Sequence, residues 1–202
     1  MIEKNWYYQK TENDCWLCTL LNVLKRKGKA VSPEEVAEIL DKENLKVLCG
    51  RAFFTYLPVV LSDFGIRTHL YLASEHFFLS RISDNAGSIS LTKLDNELNR
   101  TYRERDALYF LFLSVKKILW DKNIELFLRK PEDLSALETA SCMVVGINAN
   151  DLYDDSCDEV LHTLLVRKES DGFEIVDPYE RAYRVSAVPG WFDRLRYELI
   201  VL

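Results

Sequence analysis

The stretch LHTLLVRKESDGFEIVDPY, residues 161–179, decides the fold of the last third of the chain. Two short apolar runs flank an Asp-Gly pair, a dipeptide typical of a tight turn between antiparallel strands. A hairpin centred on that turn places a residue near Tyr179 opposite His162. Asp177 then lies diagonally across from His162 on the same face of the sheet. The pattern therefore predicts that an imidazole and a carboxylate are neighbours.

The stretch CWLCTLLNVLKRKG, residues 15–28, predicts a helix that begins with a cysteine. Its leucines form one apolar face, and its final glycine can end the helix. Cys15 lies in the first turn, where free N–H groups and the helix dipole favour a thiolate. A single cysteine with a distant histidine and an acid is typical of a cysteine hydrolase. We therefore predict Cys15 as the nucleophile and His162 as its base, while Gln9 adds an amide donor that could stabilise an oxyanion.

The other elements follow from hydrophobic periodicity and from turn residues. Strands are predicted at 66–72, 124–128, 143–147, 161–167, 173–176 and 197–201. Helices are predicted at 15–27, 33–40, 52–64 and 133–139, with a mostly helical middle from 74 to 120. Helices thus come first and an antiparallel sheet last. This order predicts an α+β fold, with the first helix packed on the sheet, in a single domain spanning 1–202.

Composition indicates a soluble globular protein, since 48% of the 202 residues are hydrophobic and 29% are charged. The net charge of −6, without a basic block, weighs against a nucleic-acid partner. The longest apolar stretch, 107–115, is too short to span a membrane, and no signal peptide is expected at the N-terminus. Five scattered cysteines fit reduced thiols and a cytoplasmic location. No sequence feature indicates an oligomeric state.

Each candidate residue also has an ordinary structural explanation, which the sequence leaves open. Cys15 could be a small buried hydrophobe, and His162 could be a hydrogen-bonded core histidine. Asp177 precedes Pro178 and could be a turn residue, while Gln9 could be a surface amide. Of the three histidines, His162 is the one followed by a hairpin and an acid, so it is the preferred base.

The pair Cys15 and Cys18 has the CxxC spacing of redox and zinc sites. No thioredoxin-type βαβ pattern surrounds it, and the other three cysteines lack the spacing of further zinc ligands. Cys18 is therefore predicted to face the core beside the nucleophile. The acidic segment 151–159 lacks the glycine and the spacing of an EF-hand loop. We interpret it as a solvated loop before His162 that helps to select a substrate.

Three stretches carry a resemblance to a known family. The sequence YYQKTENDCWLCTLLNVLKRKGKAVSPEEVAEIL, residues 7–40, resembles the start of papain-like peptidases of the double-glycine leader type, found in bacteriocin exporters. Residues 162–179 look like the histidine strand of these peptidases followed by their Asp-Pro strand end. The closing WFDRLRYELIVL, residues 191–202, is similar to their terminal Trp segment and final strand. Trp16 departs from the small residue that usually follows the cysteine in that family.

A looser resemblance extends to the family called guanylyl cyclase domain-containing. Its members share the Asp-Cys start, a helix followed by a strand like DFGIRTHLYL (63–72), and a helix-rich middle. They also share a strand like CMVVGINANDLY (142–153) before the histidine. These motifs span most of the chain and imply a papain-like fold, whatever the family's name suggests.

The resemblance assigns a role to each matching residue. Cys15 would be the nucleophile, His162 the base and acid, Asp177 the group that orients His162, and Gln9 the oxyanion donor. The implied activity is hydrolysis of a peptide or amide bond in a protein or peptide substrate. This chemistry needs neither a metal nor an organic cofactor.

Three alternatives stay open. The same four residues serve deamidases, transglutaminases and acyltransferases. A nucleotide cyclase, suggested only by the second family's name, would need paired metal-binding carboxylates near a phosphate site, and the sequence has no Gly-rich phosphate loop. A non-catalytic binding module could have kept the fold without turnover, although the complete Cys-His-Asp-Gln set speaks against it.

Overall fold

A computed structural model provides the coordinates of the protein. It describes residues 6–8, 10, 14–48, 55–72, 78–84, 87–104, 106–128, 140–152, 161–179, 182–195 and 197–202. The predicted oxyanion donor Gln9 and the predicted helix at 133–139 lie outside the described residues.

The described residues form a seven-stranded sheet with helices packed on it. The strands are β1 (Thr68–Leu72), β2 (Ile124–Phe127), β3 (Cys142–Asn148), β4 (Leu161–Glu169), β5 (Gly172–Val176), β6 (Ala182–Val185) and β7 (Tyr197–Val201). Their spatial order is β2-β1-β7-β3-β4-β5-β6. Every neighbouring pair is antiparallel except the edge pair β1–β2, which is parallel. The protein therefore has the mixed α+β architecture that the sequence predicts.

The helices account for much of the first two thirds of the chain. They are α1 (Cys15–Arg26), α2 (Pro33–Lys42), α3 (Tyr56–Asp63), α4 (Leu79–Ile82), α5 (Leu91–Thr101), α6 (Ala107–Trp120) and α7 (Ala149–Leu152). Short 3-10 turns cover Lys46–Leu48 and Gly190–Arg194. The predicted helix starting at residue 15 and the mostly helical middle are both present.

Local signals set the ends of the first two helices. Gly28 follows α1 with a φ of 70°, a left-handed conformation that glycine adopts without steric cost. At the start of α2, the Ser32 hydroxyl accepts the N–H of Glu35, and the Glu35 carboxylate accepts the N–H of Ser32. This capping box satisfies two N–H groups that the helix itself leaves unpaired.

The sheet is less confined to the C-terminal third than the sequence predicts. Strands β1 and β2 come from earlier in the chain. They belong to the same sheet as the later strands, because β1 pairs with β7. A crossover through α4, α5 and α6 connects β1 to β2, and such a long connection is what permits their parallel pairing. Strand β6 and helix α7 are not predicted from the sequence.

Apolar side chains cover both faces of the central strands. On one face, α1, α3 and α6 pack with residues such as Val144, Leu165 and Leu199 into the main core. On the other face, Val145 and Leu164 belong to a second, smaller cluster. Burial on both faces explains why β3 has a continuous apolar run from Cys142 to Ile147 without alternation. In the part of the chain that is described, no helix is long and apolar enough to cross a membrane.

Candidate active site

The β4–β5 hairpin brings His162 and Asp177 together as the sequence predicts. Its register pairs Glu169 with Gly172 and Leu165 with Val176. Continued toward the open end, the same register places Tyr179 opposite His162. The His162 Nε2 atom lies 2.8 Å from Asp177 Oδ1, and both side chains are buried. An ionised carboxylate only accepts, so Nε2 carries the proton in this bond.

Asp177 makes two contacts, one with the imidazole of His162 and one that closes a turn. Its Oδ1 atom also accepts the backbone N–H of Tyr179 at 2.9 Å, which closes the turn around Pro178. The turn bond restrains the carboxylate that holds the ring of His162. The structural role therefore fixes the direction of the carboxylate and supports its contact with the imidazole.

Cys15 reaches the same imidazole from the start of α1. Its side chain is hydrogen-bonded to the ring of His162. Because Nε2 is committed to Asp177, Nδ1 is the ring nitrogen left for the cysteine sulfur. Cys15 retains 9% of its surface and His162 retains 7%, so the pair is largely shielded from water. Cysteine, histidine and aspartate thus form one continuous chain of contacts.

The surroundings of His162 favour its protonated form. Burial of the ring lowers its pKa, but hydrogen bonds to Asp177 and Cys15 outweigh burial and raise the pKa to about 9. A charged imidazolium is stabilised by the carboxylate on one side and by the sulfur on the other. These contacts therefore stabilise the imidazolium that forms when the ring, already protonated on Nε2, takes a proton on Nδ1.

Hydroxyl groups under the first turns of α1 connect this helix to the sheet. The Thr19 hydroxyl, one turn after Cys15, donates to the carbonyl oxygen of Thr163 at 3.3 Å. The Thr163 hydroxyl in turn lies 3.0 Å from the hydroxyl of Tyr197. The Tyr197 ring lies against Gly146, where an added Cβ would come within 1.7 Å of ring atom Cε1. Glycine is thus required for the ring to reach Thr163.

The two other described cysteines, Cys18 and Cys142, are buried and have raised pKa values. Cys18 is buried, and burial with the nearby Asp14 and Cys15 raises its pKa to about 11. Burial likewise raises the pKa of Cys142 to about 11. Both carry free thiols, and Cys18 is buried on α1 three residues after Cys15.

Trp16 and His69 both lie outside the Cys15–His162–Asp177 chain of contacts. Trp16 is half-buried and packs edge-on against Tyr56, with ring centroids 5.5 Å apart. On β1, His69 lies 3.5 Å from Glu125 of β2 and packs edge-on against Phe127.

Most of the predicted acidic loop lies outside the described residues. Its first residue, Asp151, accepts a hydrogen bond from Arg194 at 2.7 Å. Among the residues with described positions, no group of three or more His, Cys, Asp or Glu side chains could hold a metal ion.

Sequence reasoning missed the polar side chains that hold α1 in place. Thr19 and Asn22 are fully buried on α1, although they stand in an otherwise apolar stretch. Two polar residues on the buried side of a predicted helix indicate that the helix is hydrogen-bonded to another segment, because buried polar groups require partners. The partners themselves, the backbone of Thr163 for Thr19 and the backbone of Tyr7 for Asn22, carry no sequence signal of this kind.

The chain matches no protein-family model, and no curated protein matches it.

Proposed function

We propose that the protein is a cysteine hydrolase of papain-like fold that cleaves a peptide or amide bond. The observation that carries the proposal is the continuous Cys15–His162–Asp177 contact, assembled from the start of a helix and from two strands of a hairpin. A nucleophile hydrogen-bonded to a base that a third group orients is the arrangement shared by enzymes with an activated thiol or hydroxyl. Its location at the start of a helix packed on an antiparallel sheet supports the papain-like fold.

The proposed reaction begins with proton transfer from the Cys15 thiol to Nδ1 of His162. The thiolate attacks the substrate carbonyl carbon, and the carbonyl π electrons move onto oxygen. His162 then gives its proton to the departing amine, the C–N bond breaks, and a thioester remains on Cys15. Water loses a proton to His162 as it attacks the thioester, and the C–S bond breaks to release the acid and restore the thiol.

Asp177 keeps the imidazole in the required tautomer throughout. Its hydrogen bond holds the proton on Nε2, so Nδ1 is free to exchange a proton with Cys15. The raised pKa of His162 favours the ring as proton acceptor in the first step.

The oxyanion would be held by backbone and side-chain donors. In α1 the first intrahelical bond runs from the N–H of Cys18 to the carbonyl of Asp14, so the N–H of Cys15 has no partner within the helix. Gln9 is the proposed side-chain donor, and loss of such a donor typically lowers turnover by about 10²–10³.

An active-site probe tests the proposal without requiring the substrate itself. A panel of peptide vinyl sulfones and aldehydes is incubated with the protein in the presence of EDTA, and the modified residue is identified by peptide mapping. Wild type should be modified at Cys15, and Cys15→Ser should stay unmodified. Cys18→Ser is the matched control and should react like wild type, because the Cys18 thiol is buried and has a pKa of about 11.

The alternatives predict different results in the same preparation. A deamidase or acyltransferase would also be labelled at Cys15, and mass analysis of glutamine-containing peptides and added amines would separate it from a peptidase. Metal-dependent cyclic nucleotide formation that persists in Cys15→Ser would refute the hydrolase in favour of the cyclase. Equal labelling of Cys15, Cys18 and Cys142 under native conditions would also refute an activated thiol.

A further inference from the structure

The Thr19 hydroxyl makes an unusual hydrogen bond for a threonine inside a helix. Such hydroxyls ordinarily donate to the carbonyl three or four residues earlier, which for Thr19 would be the carbonyl of Trp16 or Cys15. Thr19 instead donates across to the backbone of Thr163 on β4. The side chain is fully buried, so the bond forms away from water.

Two other buried hydroxyls in the same protein follow the ordinary pattern. Thr101 in α5 donates to the carbonyl of Glu97, four residues earlier, at 2.8 Å. Ser114 in α6 donates to the carbonyl of Leu111, three residues earlier, at 2.7 Å. The contrast indicates that the tertiary contact, rather than helix geometry, determines the partner of Thr19.

This hydrogen bond links the helix that carries Cys15 directly to the strand that carries His162. Thr19 lies one helical turn after Cys15, and Thr163 is the residue that follows His162. Apolar packing between α1 and the sheet is non-directional and tolerates small shifts along the helix axis. A hydrogen bond has a preferred length and angle and therefore resists such shifts. The side-chain hydroxyl of Thr163 is itself hydrogen-bonded to the buried hydroxyl of Tyr197.

We propose that Thr19 is a positioning residue that fixes Cys15 against His162 through its hydrogen bond to the Thr163 carbonyl. The inference rests on the proposed function for its catalytic meaning, but the contact that it controls is measurable in the resting protein. When the bond is lost, α1 shifts on β4 and the hydrogen bond between Cys15 and His162 weakens. The bond between His162 and Asp177 stays, because both of its residues belong to the hairpin.

Substitution of Thr19 by valine tests this mechanism, because valine has nearly the same shape and no hydroxyl. The ring signals of His162 are titrated by NMR in wild type and in Thr19→Val. Loss of a hydrogen bond to the charged ring should lower the pKa of His162 by about 0.5–1 pH unit. Alkylation of Cys15 by iodoacetamide at pH 7.5 should slow by about 3–10-fold, which the same free-energy change implies.

Two controls separate positioning from general loss of stability. Thr19→Ser keeps the hydroxyl and should titrate like wild type. Thr55→Val removes a buried hydroxyl that pairs with Ser114 on the helices away from the site, and it should lower the melting temperature without changing His162.

The results of these titrations test the role of Thr19, and they can be distinguished from a failure of the proposed hydrolase function. An unchanged His162 titration in Thr19→Val would overturn it, and so would an equal change in Thr55→Val. If Thr19→Val does not fold, a wild-type titration in Thr19→Ala would also overturn it, because alanine lacks the hydroxyl. A protein that no peptide probe modifies would refute the hydrolase, yet the effect of Thr19→Val on His162 would still be measurable.

Discussion

Replacement of Asp177 by asparagine should move the titration of His162 across neutral pH. Asparagine has the same shape, and its side-chain oxygen can still accept the N–H of Tyr179 and of the ring. It carries no charge, so the hydrogen bond that contributes most to the raised pKa of His162 loses its ionic part. Burial then opposes only the contacts with Cys15, and we expect the pKa of His162 to fall from about 9 toward its ordinary value of 6.5.

The size of the effect follows from the wild-type shift. The pKa of His162 rises from 6.5 to about 9, which at about 1.4 kcal/mol per pH unit corresponds to roughly 3 kcal/mol. A pKa raised in the folded state stabilises the protein at low pH. This contribution is fully present below pH 6.5 and is lost as the pH rises through about 9. The difference in unfolding free energy between wild type and Asp177→Asn should therefore be larger at pH 6 than at pH 9.5.

Two measurements check this prediction. NMR titration of labelled histidine rings from pH 4 to 11 reports His162 directly, with the His162 signals assigned by comparison with His162→Ala. Urea unfolding at pH 6 and at pH 9.5 reports the free-energy difference. Cys15→Ala is the matched comparison and should also lower the pKa of His162, because it removes the second hydrogen bond that raises this pKa. A His162 pKa near 6.5 in wild type, or an unchanged pKa in Asp177→Asn, would refute the reasoning.

Two further predictions concern stability around the site. Gly146→Ala should destabilise the protein by at least about 1–3 kcal/mol in urea unfolding, because its Cβ would overlap the buried Tyr197 ring at 1.7 Å. The control Gly190→Ala should change stability by less than about 0.5 kcal/mol, since nothing lies within 4 Å of its added Cβ. Asn22→Leu should cost about 1–3 kcal/mol, because the buried amide bonds both the N–H and the carbonyl of Tyr7, at 2.7 and 3.0 Å. A neutral Asn22→Leu would show that water replaces these bonds.

The amino-acid sequence alone was sufficient where local patterns set the structure. The apolar face and the final glycine predicted α1, and the capping box of Ser32 and Glu35 explains why α2 begins where the sequence predicts it. The Asp-Gly turn predicted the hairpin, and its period of two residues predicted that His162 and Asp177 are neighbours. These features depend on residues close together in the chain, whose geometry is restricted by few torsion angles.

Only the tertiary structure decided which distant segments meet. The insertion of β1 between β2 and β7 and the partner of Thr19 were not predicted. The approach of Cys15 to His162 was predicted from the residue types typical of cysteine hydrolases, and not from their spacing. The order of the strands and the packing of the helices depend on burying the apolar faces of all elements together. Many different arrangements are compatible with the same local sequence patterns. The sequence therefore determined the chemical groups and the hairpin that pairs two of them. The packing of α1 on the sheet decided that the cysteine reaches them, because that contact depends on burial across the whole core.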